Sequence, residues 1–325
     1  MTAPRSGPAH ALAGLAGLVG LATALLLTAC DSGGGRPFEE PTGPVAPATP
    51  GPTATSTAPG PAAPSGLVYA ALGDSFVAAP LVPRTNLRHG CLRSDHNYPH
   101  LVAAELPGYT LVDVSCSGAS SAEITVPQVV GGVEHPPQLD ALSDEVDIVT
   151  LGIGANDFSL FSLLVYRCLQ LAGTDRAGAP CRESYDEEVG GNRLLDQVAE
   201  IQDRVEAVVA VIRDRAPQAR VVLVTYPKFL PDFGVCPDLV PLAKGDYAFV
   251  REVNLALVEA QAAGATAAGA EVLDVYAASD GHDICADRPW VNGIDTDPSR
   301  ALAFHPFPEE QRAVADLLLD LVREG

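Results

Sequence analysis

Residues 67–76 read LVYAALGDSF. The first six are almost wholly apolar and uncharged, and Gly73-Asp74-Ser75 follows at once. A short apolar run closed by a turn signal reads as a strand buried on both faces. Such strands belong to parallel sheets covered by helices on either side. Open sheets of this kind bind ligands beyond the carboxyl ends of their strands. Ser75 stands at that place, so the serine is the first residue to inspect for chemistry.

Working outward, similar Val-, Leu- and Ile-rich runs occur at 110–114 (TLVDV), 146–153 (VDIVTLGI) and 220–225 (RVVLVT), with a weaker one at 271–275 (EVLDV). Helical patterns lie between them near 97–106, 193–215 and 245–268, and again at 309–322. The clearest is 193–215, where Leu194, Leu195, Val198, Ile201, Val205, Val208, Val209 and Ile212 form one apolar stripe. Strands alternating with helices predict an α/β fold, a doubly wound, mainly parallel five-stranded sheet in a flavodoxin-like three-layer sandwich.

Each strand end carries chemistry-bearing residues. The second strand leads into Ser115-Cys116-Ser117-Gly118-Ala119. The third leads into Gly154-Ala155-Asn156-Asp157, and His305-Pro306 comes just before the last helix. Together with Gly-Asp-Ser, these blocks and their order resemble those of the SGNH hydrolases, also called GDSL lipases and esterases, over residues 66–325. A lone Gly-Asp-Ser carries little weight, since composition alone produces one in about a tenth of chains this long. The ordered conjunction at strand ends is what identifies the resemblance.

The resemblance implies Ser75 as nucleophile and His305 as general base. It implies an oxyanion hole made of the Ser75 N–H, the Gly118 N–H and the Asn156 side-chain amide. The chemistry needs these types. A serine hydroxyl attacks only when a base takes its proton, and an imidazole is the side chain that does so near neutrality. The tetrahedral oxyanion needs fixed donors, which an amide supplies and a carboxylate does not. Structural readings stand beside these roles: Ser75 or Asn156 as helix caps, His305 as a helix-start residue. His282 is the one rival base, while His89, His96, His100 and His135 match no block.

The sequence departs from the family at Leu302, where an Asp usually stands three residues before the catalytic His. The main-chain carbonyl of Leu302, or one beside it, is expected to orient His305 instead. The alternative is a carboxylate from Asp283, Asp295 or Asp297 within hydrogen-bond reach. Phe307 and Glu310 also differ from the family pattern and are expected to alter the rim of the site.

Residues 1–29 have a cationic Arg5 and an uncharged apolar run over 11–27, a signal peptide. Leu27-Thr28-Ala29-Cys30 resembles the lipobox of bacterial lipoproteins, which implies lipidation of Cys30. Two acyl chains give stable anchoring. Free secretion and a short membrane span are the alternatives. Residues 30–65 are rich in Pro, Ala, Thr and Gly and read as a linker, which would reach roughly 100 Å if extended. Residues 66–325 are then the hydrolase domain.

Behind an export signal, the remaining six cysteines read as three disulfides. Spacing alone leaves 15 pairings open. The resemblance to secreted three-disulfide bacterial members implies Cys91–Cys116, Cys168–Cys181 and Cys236–Cys285. A net charge of −21 excludes nucleic acid as a partner and disfavours anionic lipid. There is no GxSxG elbow, HExxH metal set, P-loop or GxGxxG fingerprint. No cofactor or metal is expected, and a monomer is the expected state. The reading is a secreted lipase or esterase working through an acyl-enzyme, extracytoplasmic or held to the membrane only by its lipid anchor. A polysaccharide O-deacetylase of the same fold and a non-catalytic binding module are the alternatives.

Overall fold

The computed structural model describes residues 66–189 and 193–324. The signal peptide, the linker and Cys30 lie outside the described residues. Among the described residues, seven strands occur in chain order: β1 (Leu67–Gly73), β2 (Tyr109–Asp113), β3 (Gln128–Val130), β4 (Val133–His135), β5 (Ile148–Gly152), β6 (Arg220–Val224) and β7 (Glu271–Leu273). Five of them form one sheet in the order β2-β1-β5-β6-β7, every neighbour parallel. The chain winds outward from β1 to β2 on one side and from β5 to β7 on the other. The crevice between β1 and β5 is therefore the topological switch point.

Side chains alternate across β1 as the pleat requires. Val68, Ala70 and Leu72 enter a core with Val149, Leu151, Leu194, Val198 and Ile201. Tyr69 and Ala71 enter a second core with Ile148, Val222, Val102, Val314 and Leu318. Helices Arg193–Arg215 and Asp246–Ala267 thus cover one face, and Tyr98–Glu105 and Pro308–Glu324 cover the other. Gly264 lets the first two helices touch, because a Cβ there would stand 2.3 Å from the Gln202 carbonyl oxygen.

The strand and helix positions read from the sequence agree with this architecture. The antiparallel ribbon β3–β4 has no counterpart in that reading. Its strands are three residues long, too short for a periodic signal, and Gly131-Gly132 at positive φ makes the turn. The segment between β5 and helix Pro180–Val189 is a chain of short helical turns that begins with Phe158 and Ser159 at positive φ. Three disulfides join Cys91 to Cys116, Cys168 to Cys181 and Cys236 to Cys285, the pairs that the resemblance implied. Among the described residues, no helix is long and apolar enough to cross a membrane.

Candidate active site

Ser75 is the first residue of the short helix Ser75–Ala78 that follows β1. The cap of that helix is Asp74, whose Oδ1 accepts the Phe76 N–H at 2.9 Å. The Ser75 hydroxyl is not used as a cap. Asp74 is fully buried, and burial pushes its carboxyl up to about 7. Its other oxygen accepts the phenol O–H of Tyr226, and that phenol oxygen accepts the Ala155 N–H at 3.0 Å. One buried chain of hydrogen bonds therefore joins the Ser75 turn to the loop carrying Asn156. Gln138 clamps the preceding Gly73 at both backbone groups, at 2.7 and 2.9 Å.

Gly118 has φ +83, a conformation that side chains strain. The Asn156 Nδ2 donates to the Ala119 carbonyl at 2.9 Å, and Gln128 Nε2 donates to the Ser117 carbonyl at 3.0 Å. The Ser117 N–H meets the Cys91 carbonyl at 3.0 Å, across the Cys91–Cys116 bridge. These attachments fix the Gly118 loop on both sides. Asn156 makes no side-chain cap bond, so the helix-cap reading fails. An amide carries two N–H bonds, and one remains after the bond to Ala119. Asp157, buried beside it, accepts Ser121 N–H at 3.0 Å and Arg204 Nη1 at 2.8 Å, which ties this loop to helix Arg193–Arg215.

The His305 ring lies between two phenylalanines. It stacks on Phe76 at 5.7 Å and meets the edge of Phe161 at 5.5 Å. Phe76 follows Ser75 directly, so the stack brings the imidazole to the Ser75 turn. No hydrogen bond joins Ser75 Oγ to His305 Nε2. Such bonds often close only when substrate is bound.

The carbonyl that receives His305 Nδ1 is Ala303's, at 2.8 Å, and not that of Leu302. The Leu302 carbonyl is already occupied by the His305 backbone N–H at 3.2 Å and by Asn292 Nδ2 at 3.1 Å. With Nδ1–H directed at a carbonyl, Nε2 is left as the acceptor. Burial holds the imidazole below its ordinary pKa, against the opposing pull of the Ala303 carbonyl.

The three candidate carboxylates do other work or none here. Asp283 Oδ1 accepts the Cys285 N–H, Asp297 Oδ1 accepts Ser299, and Asp295 contributes its backbone carbonyl to Asn292. His282 stacks on Trp290 at 4.7 Å and bonds the Arg288 carbonyl.

Sequence reasoning missed Tyr226, Gln138 and Asn292. It also missed a small apolar pocket of about 40 Å³ near His305. Phe161, Leu164, Phe229, Val240, Ile284 and Phe304 are among its walls, and every lining side chain is apolar. Phe161 belongs both to the pocket and to the surroundings of the imidazole.

Residues 71–313 match the GDSL-like lipase/acylhydrolase family. Lipase 2 of Streptomyces coelicolor is 35% identical over 271 residues, covering 79% of this chain and 86% of that protein. An esterase of Streptomyces scabiei is 29% identical over 250 residues, covering 66% and 72%. Phospholipase A1 from Streptomyces albidoflavus NA297 shares the fold with a TM-score of 0.65 at 23% identity, covering 79% of this chain and 99% of that one. The chain belongs to the GDSL-like lipase/acylhydrolase family and is a carboxylic ester hydrolase.

Proposed function

We propose that this hydrolase cleaves esters of extended acyl chains outside the cytoplasm, through a Ser75–His305 dyad. The observation that carries the substrate class is the wholly apolar pocket beside the imidazole. Its walls offer an acyl chain apolar contact throughout and give a sugar no polar partner, which favours a lipase or esterase over a polysaccharide deacetylase.

In the proposed reaction His305 Nε2 takes the Ser75 proton as Oγ bonds to the ester carbonyl carbon. The oxyanion is met by the Ser75 and Gly118 N–H groups and the free Asn156 N–H. The tetrahedral adduct collapses by breaking the bond to the alcohol oxygen, which leaves with the proton from His305. Water then repeats the sequence on acyl-Ser75, releasing the acid. The Ala303 carbonyl selects the tautomer but supplies no charge, and the oxyanion donors carry much of the rate in such sites.

Three disulfides suit an oxidising compartment, and names of the related lipases support an ester substrate. Lipidation of Cys30 and a tether over 30–65 would keep the enzyme at the cell surface. Loss of membrane retention in Cys30→Ser tests that part.

The dyad is tested by a fluorophosphonate probe on the oxidised protein, with the adduct located by mass spectrometry. Labelling at Ser75 is expected, absent in Ser75→Ala and about a thousandfold slower in His305→Ala. A folded protein that takes no label overturns the dyad and leaves a binding module. Acetate release from acetylated glycan without turnover of longer-chain esters overturns the acyl-chain assignment.

A further inference from the structure

Two segments wall the apolar pocket, and both also turn apolar side chains outward. Leu164 and Val165 line it, while Tyr166 beside them is 65% exposed. Leu230 and Val240 line it, and the loop between them exposes Phe233 at 89%, with Val235 and Leu239 also exposed. Single exposed apolar residues are ordinary. Four gathered on the two walls of one pocket mark an interaction surface.

The loop is held in this presentation. The Arg251 guanidinium donates to the carbonyls of Pro231 and Gly234, on either side of Phe233. The Cys236–Cys285 bridge fastens the loop beside Ile284, a pocket-wall residue. The Leu239 carbonyl accepts the Ile294 N–H at 2.8 Å. Fixing the loop in advance lowers the ordering cost of docking.

Charge selects the occupant. Between 231 and 239 the only ionisable side chains other than the bridged Cys236 are Asp232 and Asp238, and Asp232 pairs with Lys228 at 3.1 Å. The chain as a whole carries −21. Nothing in the loop attracts an anionic surface. The cations nearest the patch are engaged within the protein, Arg251 on the loop carbonyls, Lys228 on Asp232 and Asp280, and Arg167 over the Tyr185 ring, so an apolar rim continuous with an apolar pocket fits uncharged or zwitterionic lipid.

We propose that Phe233, Val235, Leu239 and Tyr166 form the surface by which this enzyme docks on a neutral lipid–water interface. Docking sets the pocket against the lipid that supplies its acyl chain. The proposal builds on the acyl-ester reading, but its test is separable from it.

Trp290 is the chain's single tryptophan, so Phe233→Trp adds one reporter to the full chain. With phosphatidylcholine vesicles carrying brominated acyl chains, emission from the introduced indole is expected to shift to the blue and be quenched. The parent protein, reporting from Trp290, is expected to do neither. Phe233→Ser is expected to slow hydrolysis of emulsified long-chain ester about tenfold, the loss from leaving one aromatic side chain out of lipid. It leaves turnover of a monomeric short-chain ester unchanged.

An introduced indole that neither shifts nor is quenched overturns docking and assigns the patch to a protein partner. Equal losses on both substrates overturn it too, since the loop would then shape the catalytic site. Insertion of the indole into lipid without ester turnover keeps docking and sinks the acyl-ester reading.

Discussion

His305 is held without a carboxylate, and that decides how it titrates. A carboxylate partner stabilises the imidazolium and raises the pKa, whereas the Ala303 carbonyl does so weakly and burial works the other way. The folded-state pKa therefore lies below the ordinary 6.5. In the proposed dyad the base is active when neutral, so the His305-linked rise of kcat/KM with pH has its midpoint below 6.5. A pH–rate profile on a soluble ester checks this, and a His-linked midpoint above the ordinary value contradicts it.

Asp74 adds a titration near 7, and the Tyr226 phenol bonded to it favours the carboxylate. Tyr226→Phe is expected to move any inflection from Asp74 upward while leaving the lower one in place. The places of Ser75, Gly118, Asn156 and His305 in the fold were legible because each sits beside a strand end or helix start with its own turn signal. Tyr226 and Gln138 act across the fold through hydrogen bonds to Asp74, Ala155 and Gly73, Asn292 holds the carbonyls of Asp295, Ala301 and Leu302, and no local pattern marks them. The orienting carbonyl lies one residue beyond Leu302, since which of two adjacent carbonyls faces a ring depends on a turn that sequence does not fix.

Among the elements, helix Pro308–Glu324 ties down the Ser75 turn. Gln311 Nε2 donates to the Phe76 carbonyl at 3.0 Å, and its Oε1 accepts the Tyr98 N–H at 2.6 Å. Glu310, expected at the rim, is instead buried under this helix. Burial pushes its carboxyl up to about 8, against the Gln311 hydrogen bond that lowers it. Below the unfolded value both states are protonated and no cost arises. As pH rises from about 4.5 to 8, the unfolded chain ionises this group while the folded chain keeps its proton, so stability falls.

Glu310→Gln is accordingly expected to raise Tm by several degrees at about pH 8 and by almost nothing at about pH 4.5. Calorimetry at the two pH values checks it, and equal shifts at both would contradict it. Long elements such as Arg193–Arg215 were legible from their stripe. The ribbon β3–β4 and the broken turns after Asp157 were not, being shorter than a hydrophobic period or built on positive-φ residues whose strain only tertiary contacts maintain.

For the whole molecule, the charge of −21 and the sheet topology act at different ranges. Charge governs approach. Hydrolysis of vesicles containing anionic lipid is expected to rise with added salt, as the screening length falls from about 30 Å at 0.01 M to about 8 Å at physiological strength. On uncharged vesicles the rate stays flat, and a parallel salt series distinguishes the two. That balance was legible from composition, which needs no fold. The topology was legible because alternating strands and helices admit few windings, but the pocket between its loops was not.

The winding also sets when catalysis begins. Ser75 leaves the first strand, while His305 immediately precedes the helix Pro308–Glu324 that covers the sheet. A growing polypeptide thus exposes its proposed nucleophile well before its proposed base. On the proposed dyad, a nascent chain that stops short of His305 hydrolyses no ester, so self-inflicted damage during synthesis waits for the sheet to be covered.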